Sequence, residues 1–121
     1  MTTFLLVDDS RVIRSVARKI FHDLGIETRE ADNGQHGLDA VKEAIPDGVL
    51  LDWNMPVMNG LEFLTALRAT DLERQPKVIL CTTENDMDHI MAALGAGADE
   101  YIMKPFDADI IRTKLEQIGL L

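Results

Sequence analysis

The chain has 121 residues, 46% of them hydrophobic and 27% charged, and its 12 basic and 21 acidic side chains leave a formal charge of -9. That length holds one domain with one core, and the composition excludes disordered and fibrous classes. The acidic balance argues against nucleic acid and against anionic membrane surfaces, both of which reward positive charge.

Phe4-Leu5-Leu6-Val7 is a continuous apolar run, the pattern of a strand buried on both faces. Beyond Asp8-Asp9-Ser10, the residues Val12, Ile13, Val16, Ala17, Ile20, Phe21 and Leu24 recur at helical spacing and predict an inward stripe that Gly25 ends. Glu27 to Ala31 reads as a weaker strand. Asn33-Gly34 opens a second helix with Leu38, Val41 and Ile45 inward, stopped by Pro46. Val49-Leu50-Leu51 is the next buried strand and ends at Asp52, and Trp53 to Gly60, with Pro56 and Asn59-Gly60, reads as a loop. Leu61, Leu64 and Leu67 mark a third helix, Val78 to Cys81 a fourth strand, and Met87, Ile90, Met91 and Leu94 a fourth helix closed by Gly95-Ala96-Gly97. Tyr101-Ile102-Met103 is a fifth strand, and Ile110, Ile111, Leu115 and Ile118 form a last helix behind an Asp107 cap.

Five strands alternating with five helices imply βαβ units, right-handed crossovers and a parallel sheet covered by helices on both faces. The expectation is one α/β domain over residues 1–121 with no output domain. No apolar run approaches the ~18 residues of a membrane span, and the start MTTFLLVDDS lacks a basic signal-peptide region. A cytoplasmic protein without membrane insertion is therefore expected. Cys81 is the single cysteine, which excludes an internal disulfide and a cysteine-clustered zinc site.

Ligands of open α/β sheets bind beyond the carboxyl ends of the strands. The first apolar run ends in Asp8-Asp9, the third in Asp52, the fourth in Thr82-Thr83 and the fifth in Lys104-Pro105. Each has an ordinary reading of its own: Asp9 or Ser10 as a helix cap, Asp52 as an Asx-turn residue, Thr82 as a cap, Lys104 as a solvated surface group. Gathered at one edge, however, three carboxylates repel one another, and a hard divalent cation such as Mg²⁺ resolves the repulsion. Neither GxxxxGK[ST] nor GxGxxG follows the first strand, so a preformed nucleotide cradle is absent. No Ser-His-Asp or Cys-His arrangement is visible, and His22, His36 and His89 fall on predicted helices, where a surface role is expected.

Val7-Asp8-Asp9-Ser10, Leu51-Asp52-Trp53-Asn54-Met55-Pro56 with Asn59-Gly60, Thr82, and Lys104-Pro105-Phe106 occur in one order along the chain. In these marks the sequence resembles the receiver domain of two-component response regulators, and most closely its single-domain chemotaxis members. The resemblance covers essentially the whole chain. It implies a flavodoxin-like (βα)5 fold with strand order 2-1-3-4-5, an order known for such folds rather than obtained from the spacing. It further implies that Asp52 is the phosphoacceptor for a histidine kinase, and that Asp9, Asp52 and the backbone carbonyl of Asn54 ligate Mg²⁺, with Asp8 acting through water. Thr82 and Lys104 would hold phosphoryl oxygens, with a cis Lys104-Pro105 peptide. Catalysis of this kind is mostly positioning and charge neutralisation.

By the same family pattern, Thr82 moves inward on phosphorylation and Tyr101 rotates into the vacated space, remodelling the face of the fourth helix, fifth strand and fifth helix where a partner docks. Met87 and Met91 are expected in the core. Asn54 and Glu84, with Thr83, stand where the family tunes its kinetics. Thr83 replaces a small alanine and is expected to slow small-molecule phosphodonors. The implied partners are the kinase and a downstream protein, either a flagellar motor component or a histidine phosphotransfer protein, with a monomer before phosphorylation. Chemotaxis, a phosphorelay and a phosphate sink all stay open as outputs. Two competing readings are a Mg²⁺-dependent phosphohydrolase of the haloacid dehalogenase type and a constitutive adaptor. The former needs an aspartate where Asn54 stands.

Overall fold

The chain is described from a computed structural model over residues 2–83 and 87–121. Its elements alternate as β1 (Thr3–Val7), α1 (Arg11–Asp23), β2 (Glu27–Ala31), α2 (Gly34–Glu43), β3 (Gly48–Asp52), α3 (Gly60–Ala69), β4 (Lys77–Thr82), α4 (Met87–Gly95), β5 (Glu100–Met103) and α5 (Ala108–Gln117). All strand pairs are parallel, in the order β2-β1-β3-β4-β5. This is the order the resemblance implies.

The central strands carry unbroken apolar runs because both their faces are covered. Leu5, Val7, Val49, Leu51, Val78 and Leu80 point to one side and pack with Leu38 and Val41 of α2 and Phe63, Leu64 and Leu67 of α3. Phe4, Leu6, Leu50, Ile79, Cys81 and Ile102 point to the other and pack with Ala17 and Phe21 of α1 and Ile111 and Leu115 of α5. Phe63, which the leucine spacing of α3 does not single out, is fully buried. Its truncation to alanine would cost about 3–5 kcal/mol.

Polar caps start the helices where the sequence places them. Ser10, Asn33 and Asp107 accept from the backbone N–H groups of Ile13, His36 and Ile110, and Asn59 with Glu62 forms a reciprocal capping box. Each cap contributes about 1 kcal/mol.

Five inward positions are corrected by the structure. Val12 and Val16 of α1 are 71% and 45% exposed. At 100° per residue they lie about 120–160° round the helix from the Ala17–Phe21 centre, so seven apolar residues span more of the circumference than the sheet covers. Ile45 is not on α2 at all, because the helix stops at Glu43 and Ala44 is already extended. Pro46 disfavours helical backbone just before it and brings that end forward. Met87 and Met91, expected in the core, are 63% and 60% exposed, since α4 buries Ile90 and Ala93 instead.

Candidate functional site

Register places the strand ends side by side. Val7 pairs with Leu51, Asp52 with Cys81, and Thr82 with Met103, so Asp8, Asp52 and Lys104 emerge at one edge of the sheet. Asp8 is fixed three ways. Its N–H donates to the Ala31 carbonyl at 3.1 Å, its Oδ1 accepts from the Ser10 N–H at 2.8 Å, and its carbonyl accepts from Arg14 Nη1 at 2.6 Å. Asp52 is 6% exposed and closes β3. The loop beyond it folds tightly: the Gly60 N–H donates to the Trp53 carbonyl at 2.8 Å, and a Cβ on Gly60 would stand 2.4 Å from the Asp52 carbonyl oxygen. Only glycine fits there.

Lys104 crosses from β5 to this edge. Its Nζ lies 3.0 Å from Asp8 Oδ2 and donates to Asp52 Oδ1 at 3.1 Å, while its backbone N–H donates to the Thr82 carbonyl at 2.8 Å. The Lys104–Pro105 bond is cis. Oxygens of Asp8, Asp9 and Asp52 lie within 4.8 Å of one another, the first and last buried and Asp9 exposed.

Burial, seconded by the Asp8 charge, raises the Asp52 pKa from an ordinary 3.8 to about 6, although Lys104 pulls the other way. For Lys104, burial opposes the charge, but the bonds to Asp8 and Asp52 prevail and raise its pKa. Behind Asp52, burial pushes the Cys81 thiol up to about 12, which leaves it an inert core residue. Three clustered anions against one ammonium form an all-oxygen donor set that fits a hard divalent cation.

The remaining expected residues fall at graded distances from this centre. Thr82 is buried at the end of β4, and Thr83 beyond it is exposed. Asn54 is exposed in the β3–α3 loop. Tyr101 is half-buried on β5, paired with Leu80, and the Lys114 ammonium lies 5.2 Å from its ring centre. Glu84 lies outside the described residues.

Two participants are not legible in the sequence. Arg14, one of the polar positions of α1, turns back to hold Asp8. His89, expected at the surface away from the strand ends, instead stacks on Trp53, the residue after Asp52, with ring centroids 4.4 Å apart. A contact between residues 36 positions apart leaves no periodic trace. Elsewhere, a cleft of about 860 Å³ between α1 and the start of β2 is lined by Arg18, Lys19, His22 and Glu27, away from the carboxylates.

Comparison with known proteins agrees with this geometry. The response regulator receiver domain family matches residues 4–116. Chemotaxis protein CheY of Pseudomonas aeruginosa is 36% identical over 115 residues, covering 94% of this chain and 93% of that one. Chemotaxis protein CheY-3 of Vibrio cholerae is 37% identical over 115 residues, covering 94% and 88%. The solved structure of Vibrio cholerae chemotaxis protein CheY4 superposes with a TM-score of 0.91 at 30% identity, covering 98% of each chain. These findings show that the chain belongs to the response regulator receiver domain family.

Proposed function

We propose that the chain is a phosphorylation-operated signalling switch in which Asp52 accepts a phosphoryl group from the phosphohistidine of a kinase. The observation that carries this reading is the buried Asp52 carboxylate, flanked by Asp8 and Asp9 and met by Lys104 Nζ at 3.1 Å. An Asp52 oxygen attacks phosphorus, the P–N bond breaks, and the kinase histidine leaves. Lys104 is placed to follow the charge from the Asp52 carboxylate to a phosphoryl oxygen, and the Thr82 hydroxyl serves as a donor to another. Asp8, Asp9, Asp52 and the Asn54 carbonyl would hold Mg²⁺, which supplies neutralisation of the transferring group's charge.

The added charge of about -1.5 to -2 then rearranges Thr82 and Tyr101 and alters the face of α4, β5 and α5. Met87, Met91 and Ile110 already expose apolar surface there. Asn54 and Glu84 set how long the phosphoryl group lasts, and Thr83 sets how readily small-molecule donors reach Asp52. The chain acts as a cytoplasmic receiver, monomeric until modified, that controls a partner protein and turns over no substrate of its own. The names of the relatives favour a chemotaxis output over a phosphorelay or phosphate sink. Asn54 in place of a second aspartate disfavours a phosphohydrolase.

Trp53 fluorescence tests the reading. Mg²⁺ titration gives one saturable change and beryllofluoride a second, both lost in Asp52→Asn. No response to either in the wild type would overturn the switch and favour the adaptor.

A further inference from the structure

The Trp53–His89 stack joins the loop that follows Asp52 to helix α4, with ring planes 24° from parallel. Helix α4 needs such a tie, because just two of its nine residues, Ile90 and Ala93, are buried. Its far end is secured separately by α3. Arg68 donates from Nε and Nη2 to the Gly97 carbonyl at 3.0 and 2.8 Å, and from Nη1 to the Pro76 carbonyl at 2.8 Å. Gly97 has φ 111°, and a Cβ there would lie 3.0 Å from the Arg68 side chain, so this turn holds the guanidinium closely. The turn that follows the helix is thus held by two hydrogen bonds from Arg68. In its N-terminal half, Ile90 is buried and the ring of His89 stacks on Trp53.

We propose that His89 is a positioning residue that latches the N-terminal half of α4 to the phosphoacceptor loop and so sets how readily that half moves when Asp52 is modified. Arg68 supplies the pivot and the stack supplies the catch. Displacement of the backbone at Asp52–Trp53 reaches His89 through one ring contact, with no intervening side chain. A segment with few buried side chains opens locally at low cost, and an aromatic pair shifts such an opening equilibrium by about two- to tenfold. The latch itself stands on geometry alone, whereas its coupling to Asp52 modification rests on the switch reading.

Hydrogen exchange on the full chain, without any phosphoryl mimic, tests the latch. His89→Ala speeds exchange of the α4 amides by about two- to tenfold and leaves α1 and α5 unchanged. Trp53→Leu removes the same stack from the other side and gives the same result, while His89→Phe keeps a ring on Trp53 and restores slow exchange. Unchanged α4 exchange in His89→Ala, or no rescue by His89→Phe, overturns the latch. Coupling is read from the beryllofluoride midpoint in Mg²⁺, followed by exchange of α4: His89→Ala lowers it by about the same factor and His89→Phe returns it. A midpoint that stays put while exchange accelerates overturns the coupling. A wild type indifferent to beryllofluoride overturns the switch reading instead, and the exchange comparison still decides the latch.

Discussion

Lys104 Nζ donates to Asp52 Oδ1 at 3.1 Å although the two residues end strands that are not neighbours. The lysine reaches past β4 and also meets Asp8, just beyond the end of β1, at 3.0 Å. It is the fixed cation on which two buried carboxylates depend. Lys104→Gln should therefore lower stability by about 1–3 kcal/mol at pH 7, because it strands the charges it paired. The loss shrinks as pH falls through 6 toward 4 and Asp52, whose pKa is raised to about 6, takes up its proton. Urea unfolding at both pH values measures it, and an equal loss at the two would show that packing dominates.

Asp52 itself weakens the metal-free protein. Its folded pKa is about 6 against an ordinary 3.8, raised by burial and by Asp8. The folded state holds the proton more tightly than the unfolded chain, so stability falls as pH rises from 4 through 6, and the deficit is complete above that window. Asp52→Asn should gain ~2 kcal/mol at pH 7 without metal, and the gain should vanish near pH 4. Denaturant midpoints across this range, repeated with Mg²⁺, provide the check. Mg²⁺ stabilises the wild type and leaves Asp52→Asn nearly unmoved.

Thr83 is exposed immediately beyond buried Thr82. Under the proposed function, its branched side chain narrows the approach to the carboxylates. Thr83→Ala should raise the acetyl phosphate reaction rate severalfold and leave transfer from the kinase within about twofold, because a docked kinase brings its own positioning. Equal acetyl phosphate rates would show that Thr83 does not narrow the entrance.

Val57 adopts φ 69° at 82% exposure, between the Pro56 carbonyl and the Met58 N–H that donates to it at 2.7 Å. A β-branched residue in the left-handed region carries about 1–3 kcal/mol of strain, and no burial at Val57 offsets it. Val57→Asn should raise stability by about 1 kcal/mol with no change in Mg²⁺ affinity, as read by thermal unfolding and Trp53 fluorescence.

The strands were legible because Phe4 to Val7, Val49 to Leu51 and Val78 to Cys81 are buried on both faces and so cannot alternate. The edge chemistry followed from asking which polar residue ends each run, and Asp8, Asp9, Asp52 and Lys104 do meet there. Strand order came with the family resemblance. Helix faces were less legible, because an apolar stripe states what can be buried and only the neighbouring layer decides what is. Val12, Val16, Met87 and Met91 are apolar side chains that no layer covers. The Arg14 bond to Asp8 and the ring contact of His89 depend on tertiary placement and have no local signature.

The crowding of Asp8, Asp9 and Asp52 has a practical corollary for selection. A library screened for heat resistance in metal-free buffer would enrich variants that neutralise this edge, since removing a repelled carboxylate is among the easiest gains on offer. Robustness and signalling would then be driven apart by the choice of buffer. If the edge holds Mg²⁺ as proposed, including the ion in the screen would turn the same three carboxylates from a liability into an asset, and Asp52 would survive the selection.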